Sequence, residues 1–324
     1  MTILQAASYR AGSNRGIATT IGFLEQVLNT GDAFSVCAGP QEHVLVGELA
    51  MIGRLNNATF GFDFVHTVLP GSPPKANSHD QSRNGRSLMS SHGIADTDFV
   101  VLWCGGYNAW TDVETLYRGL DAAMSRDPRI HFVSVGASTY EGPDDVYAKF
   151  LDLIDGSVYQ DRFHMLGWQP WSGIADFYRD SDVGINIDAW HYETVYGTRT
   201  RLVEMIGAGL PVITSSGSEL SSLLSDGASA LSFEIGDWEG FGQQILTLCQ
   251  DEERRRELAN NALGYAESKL SFSTTMAPVR AWVQQPRRAP DKAAVSPTDR
   301  LRQVEHRARS MVRHTLWRVA GVDK

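Results

Sequence analysis

The chain has 324 residues, of which 42% are hydrophobic and 21% charged, as in ordinary globular proteins. Its net charge of −9 is uneven, because residues 287–324 carry 10 Lys and Arg against 4 Asp and Glu, whereas the remainder carries 19 against 34. An acidic body excludes a general nucleic-acid surface, so an anionic ligand requires a local site built from a few arginines and backbone amides.

Residues 1–70 predict few regular elements. A helix is predicted over 16–29, a short strand over 33–37 and an amphipathic helix over 41–55. One strand and two helices are too little for an independent α/β domain. A connection rich in Pro, Ser and Asn follows at 69–85.

From Asp98 onward, apolar runs typical of buried strands alternate with helical segments. The predicted strands are 98–104, 130–136, 162–168, 182–188, 211–215 and 230–235. The predicted helices are 111–127, with Thr111 as the N-cap, 144–156, 172–181, 199–209 and 218–227, with further helices to about Val283.

This alternation predicts an α/β fold with a parallel sheet covered on both faces. Such sheets bind ligands at the carboxyl ends of their strands. The candidate site loops are therefore 105–110, 136–143, 167–171, 188–198 and 215–218.

The C-terminal segment is basic. After a second linker at 284–297, a helix is predicted over 298–319, with one apolar stripe flanked by arginines: Leu301, Val304, Ala308, Met311, Thr315 and Val319. The favoured interpretation is a helix that packs back on the protein. The alternative is peripheral contact with an anionic membrane, which the basic flanks and Trp317 allow.

The remaining features predict a cytoplasmic protein, with that alternative placing it at the inner face of the membrane. The start of the chain lacks a basic segment followed by an apolar core, and no run of about 18 apolar residues exists. The three cysteines, Cys37, Cys104 and Cys249, are far apart and predict neither a disulfide framework nor a metal site.

Two stretches have the chemistry of a ligand site. In WCGGYNAWTD (103–112), Gly105 and Gly106 follow a buried strand and precede a helix, which would let a ligand approach the backbone. A tight turn between strand and helix would explain both glycines without a ligand.

The second stretch is 192–213. Gly197 and Thr198 lie at a predicted helix start, where amides favour a diphosphate, and Arg199 and Arg201 would add positive charge. Glu204, one turn further on, could accept hydrogen bonds from a ribose diol. The alternative is a solvated ion pair between Arg201 and Glu204.

The run RLVEMIGAGLPVITSSGSELSSLLSDGASALSF (201–233) resembles the donor-site segment of retaining glycosyltransferases of the GT-B fold, family 4. Glu204 matches the family glutamate that holds the nucleotide ribose. Residues 98–116 resemble the first strand and glycine loop of the family's C-terminal domain, and residues 163–187 resemble the segment that meets the base. The resemblance covers roughly residues 30–285.

The sequence departs from the family pattern at three points. Tyr196 stands where a second glutamate is usual, and Glu193 lies three residues earlier. The usual arginine and lysine after the first strand are missing, which makes Arg199 and Arg201 the candidates for that charge. Fewer than a hundred residues precede Asp98, so most of the acceptor-binding domain is expected to be absent from this chain.

The resemblance implies a Rossmann-like nucleotide-sugar-binding domain over 71–285, a remnant of the acceptor-side domain over 1–70, and a linker with a basic helix over 286–324. The implied reaction transfers a sugar from a nucleotide diphosphate sugar to an acceptor hydroxyl with retention, without a metal or cofactor. Arg199 and Arg201 are the predicted catalytic residues. The predicted donor-binding residues are Gly105, Gly106, Asn108, Trp168, Gln169, Glu193, Gly197, Thr198, Glu204, Ser218 and Glu219.

Two other functions are consistent with this pattern. One is a non-catalytic or split nucleotide-sugar-binding module, whose partner chain supplies the acceptor side; exposed apolar surface around residues 16–55 would support it. The other is a sugar-nucleotide epimerase of the same fold. His191, in the 188–198 loop, is interpreted as a structural or substrate-contacting residue and not as a general base.

Overall fold

The computed structural model describes residues 2–14, 16–72, 87–139, 142 and 145–292. These residues form two compact units, one over Leu69–Met276 and one built from the described residues on either side of it. The helix predicted over 298–319 and most of the predicted 69–85 connection lie outside the described residues. Within the described ranges, no helix is long and apolar enough to cross a membrane.

The helices and strands are as follows, in chain order. The helices are α1 Thr2–Ala11, α2 Ile17–Thr30, α3 Gly39–Met51, α4 Ser87–Ser90, α5 Val113–Arg126, α6 Val146–Asp155, α7 Ile174–Asp180, α8 Tyr192–Tyr196, α9 Thr200–Gly207, α10 Glu219–Asp226, α11 Trp238–Gln250, α12 Glu252–Lys269, α13 Phe272–Thr275 and α14 Ala277–Gln284. The strands are β1 Phe34–Val36, β2 Val65–Thr67, β3 Phe99–Cys104, β4 Ile130–Val135, β5 Phe163–Met165, β6 Val183–Asn186, β7 Val212–Ser215 and β8 Ala230–Phe233. Three short 3-10 helices cover Gln160–Arg162, Trp171–Gly173 and Pro290–Lys292.

The unit outside 69–276 is the smaller of the two and is called the smaller unit below. In it, β1 and β2 pair in parallel, and α3 lies between them in the chain. The prediction of a single strand here was therefore wrong, and α1 was also missed. A three-residue strand such as β2 is too short for its alternation to stand out in the sequence. A small apolar core formed by Leu28, Leu49, Phe64, Val65 and Ala289 holds these elements together.

A buried ion pair closes the same unit. Arg54 contacts Asp291 at 2.6 Å and also donates to the backbone carbonyls of Leu28 and Gly31, at the carboxyl end of α2. Because the last carbonyls of a helix have no partner within it, the guanidinium satisfies two groups that burial would otherwise leave unbonded. The chain after α14 is thereby fixed beside the end of α2.

Residues 69–276 contain a six-stranded parallel sheet in the order β5-β4-β3-β6-β7-β8. Its strands are buried on both faces: Val101 and Trp103 of β3 belong to one apolar cluster, and Val100 and Leu102 belong to the other. This confirms the predicted Rossmann-like α/β fold. The strand order reverses between β3 and β6, the point where such sheets bind ligands.

Two helix starts differ from the prediction. Asp112, not Thr111, caps α5 by accepting a hydrogen bond from the Thr115 amide at 3.0 Å. Part of the predicted 188–198 loop is the short helix α8, which is separated from α9 by Gly197. A Cβ at Gly197 would lie 2.4 Å from the Glu193 carbonyl oxygen, so only glycine allows the chain to fold back at this point.

A histidine pair on β4 and β5 predicts that the free energy of unfolding falls at acidic pH. His131 Nδ1 lies 3.0 Å from His164 Nε2, and burial together with His131 and His92 lowers the pKa of His164 to about 4. Burial also lowers the pKa of His131, although Asp98 opposes that shift and Arg162 adds to it.

Because the folded-state pKa of His164 lies below the unfolded value, the unfolded chain binds more protons between about pH 4 and 6.5. The stabilisation is therefore complete above that window and is lost as the pH falls through it. We expect the drop in unfolding free energy from pH 7.5 to pH 5 to be larger in the unchanged chain than in His164→Asn by about 1–2 kcal/mol, after solvent screening. Urea unfolding at the two pH values measures this, and equal drops in both proteins would contradict it.

Candidate active site

The candidate site lies at the carboxyl ends of β3 and β6, where the strand order reverses. The loops after these strands are joined by backbone hydrogen bonds, from Asp112 to the Ile187 carbonyl at 3.3 Å and from Ala189 to the Trp110 carbonyl at 2.7 Å. The predicted loops 105–110 and 188–198 are thus held side by side at the end of the sheet.

Glycines let three loops approach one another closely. Gly105 and Gly136 have φ of +125° and +134°, and a Cβ at Gly136 would lie 2.1 Å from the Gly105 carbonyl oxygen. The Gly136 amide donates to the Gly167 carbonyl at 2.7 Å. The backbone conformation of Gly105 and its contact with Gly136 therefore require a glycine at position 105, whether or not a ligand binds.

Gly106 packs closely against the exposed ring of Trp168. A Cβ there would lie 2.3 Å from the Thr139 methyl group and 3.1 Å from the Trp168 ring. Trp168 is 61% exposed, and Asn108 accepts a hydrogen bond from the Thr139 hydroxyl at 3.2 Å. The structure thus brings together Gly106, Asn108 and Trp168, from loops that follow different strands. Gln169, next to Trp168, donates to the Leu166 carbonyl at 2.7 Å and fixes this loop.

Arg201 brings a buried positive charge to the glycine turn. Its guanidinium lies 3.9 Å from the centre of the Trp103 ring, and Nη2 donates to the Gly106 carbonyl at 3.0 Å. Nη1 is buried without a hydrogen-bond partner, and burial lowers the pKa of Arg201. Among the described residues no carboxylate lies within ion-pair distance of it, although the charge of Asp188 acts on it from further away, so the guanidinium can pair with an anion.

Arg199 has a different environment. It is 5% exposed, and its Nε forms an ion pair with Asp188 at 2.7 Å while Nη1 donates to the Glu193 carbonyl at 3.2 Å. Asp188 also accepts a hydrogen bond from Asn186 at 2.8 Å. The charge of Arg199 is therefore compensated within the protein, and only Nη2 is left without a hydrogen bond.

Glu204 does not form the alternative ion pair with Arg201. One carboxylate oxygen accepts a hydrogen bond from the Tyr178 hydroxyl at 2.9 Å, and this hydroxyl lies 3.3 Å from Cys104 Sγ. Burial raises the pKa of Tyr178, which keeps the hydroxyl protonated as a donor. The carboxylate is thus held in place by one oxygen.

The remaining predicted residues take mainly structural positions. The Ser218 hydroxyl caps α10 by accepting from the Ser221 amide at 3.1 Å, and Glu219 is the first residue of that helix. His191 caps α8 by accepting from the Glu193 amide at 3.0 Å, consistent with a structural interpretation. The Glu193 carboxylate lies against Gly197, since a Cβ there would be 2.6 Å from Glu193 Oε1.

Four buried polar atoms at this site make no hydrogen bond within the described residues: Asn186 Oδ1, Thr198 Oγ1, Arg199 Nη2 and Arg201 Nη1. Only seven such atoms occur in the described part of the chain. Three of the four can donate, and they lie at the start of α9, whose N-cap Arg199 makes no side-chain capping bond. Because each unsatisfied buried group costs roughly 1–3 kcal/mol, the cluster favours binding of a polar, anionic group.

Sequence reasoning missed three side chains of this site: Trp103, Tyr178 and Asp188. Trp103 and Tyr178 contact partners far away in the sequence, Arg201 and Glu204, whereas Asp188 pairs with Arg199 only 11 residues away. Only Asp188 had a local signal, because it is a charged residue just after the end of β6, where α/β sheets position functional groups.

Residues 98–251 match the family described as "Glycosyl transferases group 1". A curated relative, D-inositol 3-phosphate glycosyltransferase of Corynebacterium kroppenstedtii, is 22% identical over 226 residues, covering 68% of this chain and 49% of the relative. The chain thus spans about half the length of this relative.

The fold is similar to that of solved glycosyltransferase structures. Sucrose-phosphate synthase from Thermosynechococcus elongatus superposes with a TM-score of 0.59 at 16% identity, over 82% of this chain and 61% of that one. Anabaena Alr3699/HepE, solved in complex with UDP-glucose, gives 0.62 at 16% identity over 82% and 68%. These matches confirm the predicted resemblance to group 1 glycosyltransferases of the GT-B fold.

Proposed function

We propose that the chain binds a nucleotide diphosphate sugar and that this sugar is transferred to an acceptor hydroxyl with retention. The match of residues 98–251 to group 1 glycosyltransferases supports this proposal. The observation that carries the proposal is the cluster of four unpartnered buried polar atoms at the ends of β6 and the start of α9. A diphosphate supplies acceptor oxygens for its three donors.

In this proposal the diphosphate lies at the start of α9. The first backbone amides of the helix, the Thr198 hydroxyl, Arg199 Nη2 and Arg201 Nη1 all donate to it. Arg201 supplies the uncompensated charge, because Arg199 is already paired with Asp188. As the glycosidic bond breaks, negative charge grows on the leaving diphosphate, and these fixed donors stabilise it there.

The other parts of the donor follow from the neighbouring side chains. Glu204 is one turn into the same helix and accepts hydrogen bonds from the ribose diol. The exposed face of Trp168 stacks on the base, and Gly105 and Gly106 allow the donor to lie close to the backbone. Glu193, next to Gly197, is the candidate for a sugar hydroxyl. The proposal requires no cofactor and no metal ion.

Removal of the Glu204 carboxylate tests the ribose role. We expect Glu204→Ala to lose about 1.5–3 kcal/mol of affinity for a nucleoside diphosphate, because a charge-assisted hydrogen bond is lost. Affinity for the 2′-deoxy diphosphate should change much less. Calorimetric titration of ADP, GDP and UDP with their 2′-deoxy forms measures both.

Tyr178→Phe is the matched control, because it removes the hydrogen bond to Glu204 and leaves the carboxylate. It should bind the nucleoside diphosphate nearly as well as the unchanged chain. If Glu204→Ala binds ribose and deoxyribose diphosphates as the unchanged chain does, the ribose role is rejected.

A second candidate function is a donor-binding module that depends on a separately supplied acceptor side. It is favoured by the two-stranded sheet of the smaller unit and by exposed apolar side chains on α2 and α3 outside the groove between them, such as Phe23 and Val46. A donor-loaded chain that transfers sugar only when a second polypeptide is added would establish it.

A further inference from the structure

An open apolar groove of ≈ 400 Å³ runs between α2 and α3 of the smaller unit. Ile21 and Leu24 of α2 face Val44 and Met51 of α3 across it, and Met51 is 84% exposed. Gly47 lies between them with open space around its Cα, so a helix could approach α3 closely there. Exposed apolar surface of this kind marks an interaction site.

The groove is acidic. Glu25 and Glu48 line it, and residues 16–53 contain four Asp and Glu and no Lys or Arg. Burial raises the pKa of Glu48, and the positive charge of the amino terminus opposes this shift, as an added basic partner would. An occupant with an apolar stripe and basic flanks matches these properties.

The described chain ends beside this groove. The Lys292 ammonium contacts the Thr30 and Gly31 carbonyls and lies 3.2 Å from Asp32, at the carboxyl end of α2. Ala289 donates to Asp32 at 3.0 Å, which fixes the preceding backbone. The segment after Lys292 therefore starts where α2 ends.

The sequence after this point has the required chemistry. Residues 298–319 hold six arginines against two acidic residues, with the predicted stripe from Leu301 to Val319. As a helix they would be about 33 Å long, enough to cover the roughly 21 Å of α2. The residues between 292 and 298 reach up to about 20 Å when extended. Length therefore permits the predicted helix to lie along the groove.

We propose that residues 298–319 form a helix that packs its apolar stripe into the α2–α3 groove, with its arginines beside Glu25 and Glu48. This contact covers apolar surface that would otherwise be open to solvent. The occupant of the groove in this proposal is the chain's own C-terminal segment.

The test is hydrogen exchange of the C-terminal amides in two full-length variants. Val44→Asp places a charge in the groove, whereas Val46→Asp changes the same residue type on the same helix outside the groove lining. The two valines are 42% and 40% exposed, which makes them a matched pair. We expect exchange over 298–319 to become at least about tenfold faster in Val44→Asp, since a charge in the contact is desolvated. It should not change in Val46→Asp.

A reciprocal pair on the C-terminal segment keeps the test independent of the stability of α3. Met311→Asp, on the stripe, should speed exchange in α2 and α3, and Ser310→Asp should not. Rapid exchange over 298–319 in the unchanged chain would overturn the proposal. Protection of the groove that depends on protein concentration would also overturn it and indicate a second copy. Protection that appears only with anionic vesicles, or only with an added polypeptide, would overturn it in favour of a membrane or a partner chain.

Discussion

The purified chain is expected to bind a nucleotide sugar but to transfer the sugar to an acceptor at well under about 1 per second, the lower end for typical enzymes. In the proposed function, the donor-binding groups come from the loops after β3 and β6 and from α9, all within residues 69–276. Transfer also requires an acceptor hydroxyl held at attack distance from the anomeric carbon, with water excluded. The resemblance to the GT-B fold implies that a second domain supplies both, and the described residues outside 69–276 contain a sheet of only two strands.

The expected loss is large because positioning of two reactants can supply roughly 7–11 kcal/mol of barrier lowering. The described residues of the smaller unit form a two-stranded sheet with helices, whereas residues 69–276 form a six-stranded sheet. The assay should measure donor binding, donor hydrolysis and transfer on one preparation, so that a misfolded sample is not mistaken for an inactive one. Transfer to a defined acceptor at about 1 per second or faster, without any partner, would show that the chain holds its own acceptor site.

Arg201 is expected to discriminate the diphosphate from the nucleoside. Arg201→Met keeps an apolar side chain on Trp103 but removes the uncompensated guanidinium. We expect nucleoside diphosphate affinity to fall by about 10- to 100-fold, as for loss of a charge-assisted hydrogen bond, and affinity for the bare nucleoside to change little. Parallel titrations of both ligands measure this.

Arg118→Met is the control for Arg201→Met. The Arg118 guanidinium also lies over a tryptophan, 4.3 Å from the centre of a Trp238 ring, but on α5 and α11. Arg118→Met should leave the affinities for the nucleoside diphosphate and for the bare nucleoside unchanged. Equal loss of diphosphate and nucleoside affinity in Arg201→Met would assign Arg201 a structural role. Arg199 is unsuited to this test, because its removal leaves Asp188 buried without its ion-pair partner, at a cost of roughly 3–5 kcal/mol in stability.

The sheet could be predicted from the sequence because its strands are buried on both faces and therefore appear as continuous apolar runs. Their ends were less predictable. The predicted strand over 162–168 is only Phe163–Met165, because Gly167 turns the chain with φ of +67°. In the smaller unit, β2 is stabilised by parallel pairing with β1, a tertiary contact that no local pattern records.

The sequence could predict which residues lie near the site, because this depends on their position after a strand or at the start of a helix. Gly105, Gly106, Arg201 and Glu204 were all placed at carboxyl ends of strands or at the following helix, and the structure places Arg201 against both glycines. What each arginine contacts depends on residues distant in sequence. The stacking of Arg201 on Trp103 and the donation from Tyr178 to Glu204 arise only when separate strands and helices come together.

In the proposed function, the unpartnered donors at the start of α9 hold a diphosphate. The most direct measurement is calorimetric titration of the unchanged chain with ADP, GDP and UDP and with the matching nucleosides. We predict that at least one diphosphate binds more than about tenfold tighter than its nucleoside, since two or more charge-assisted hydrogen bonds distinguish them. Equal affinities for diphosphate and nucleoside with every base, or no binding of any diphosphate, would contradict the claim.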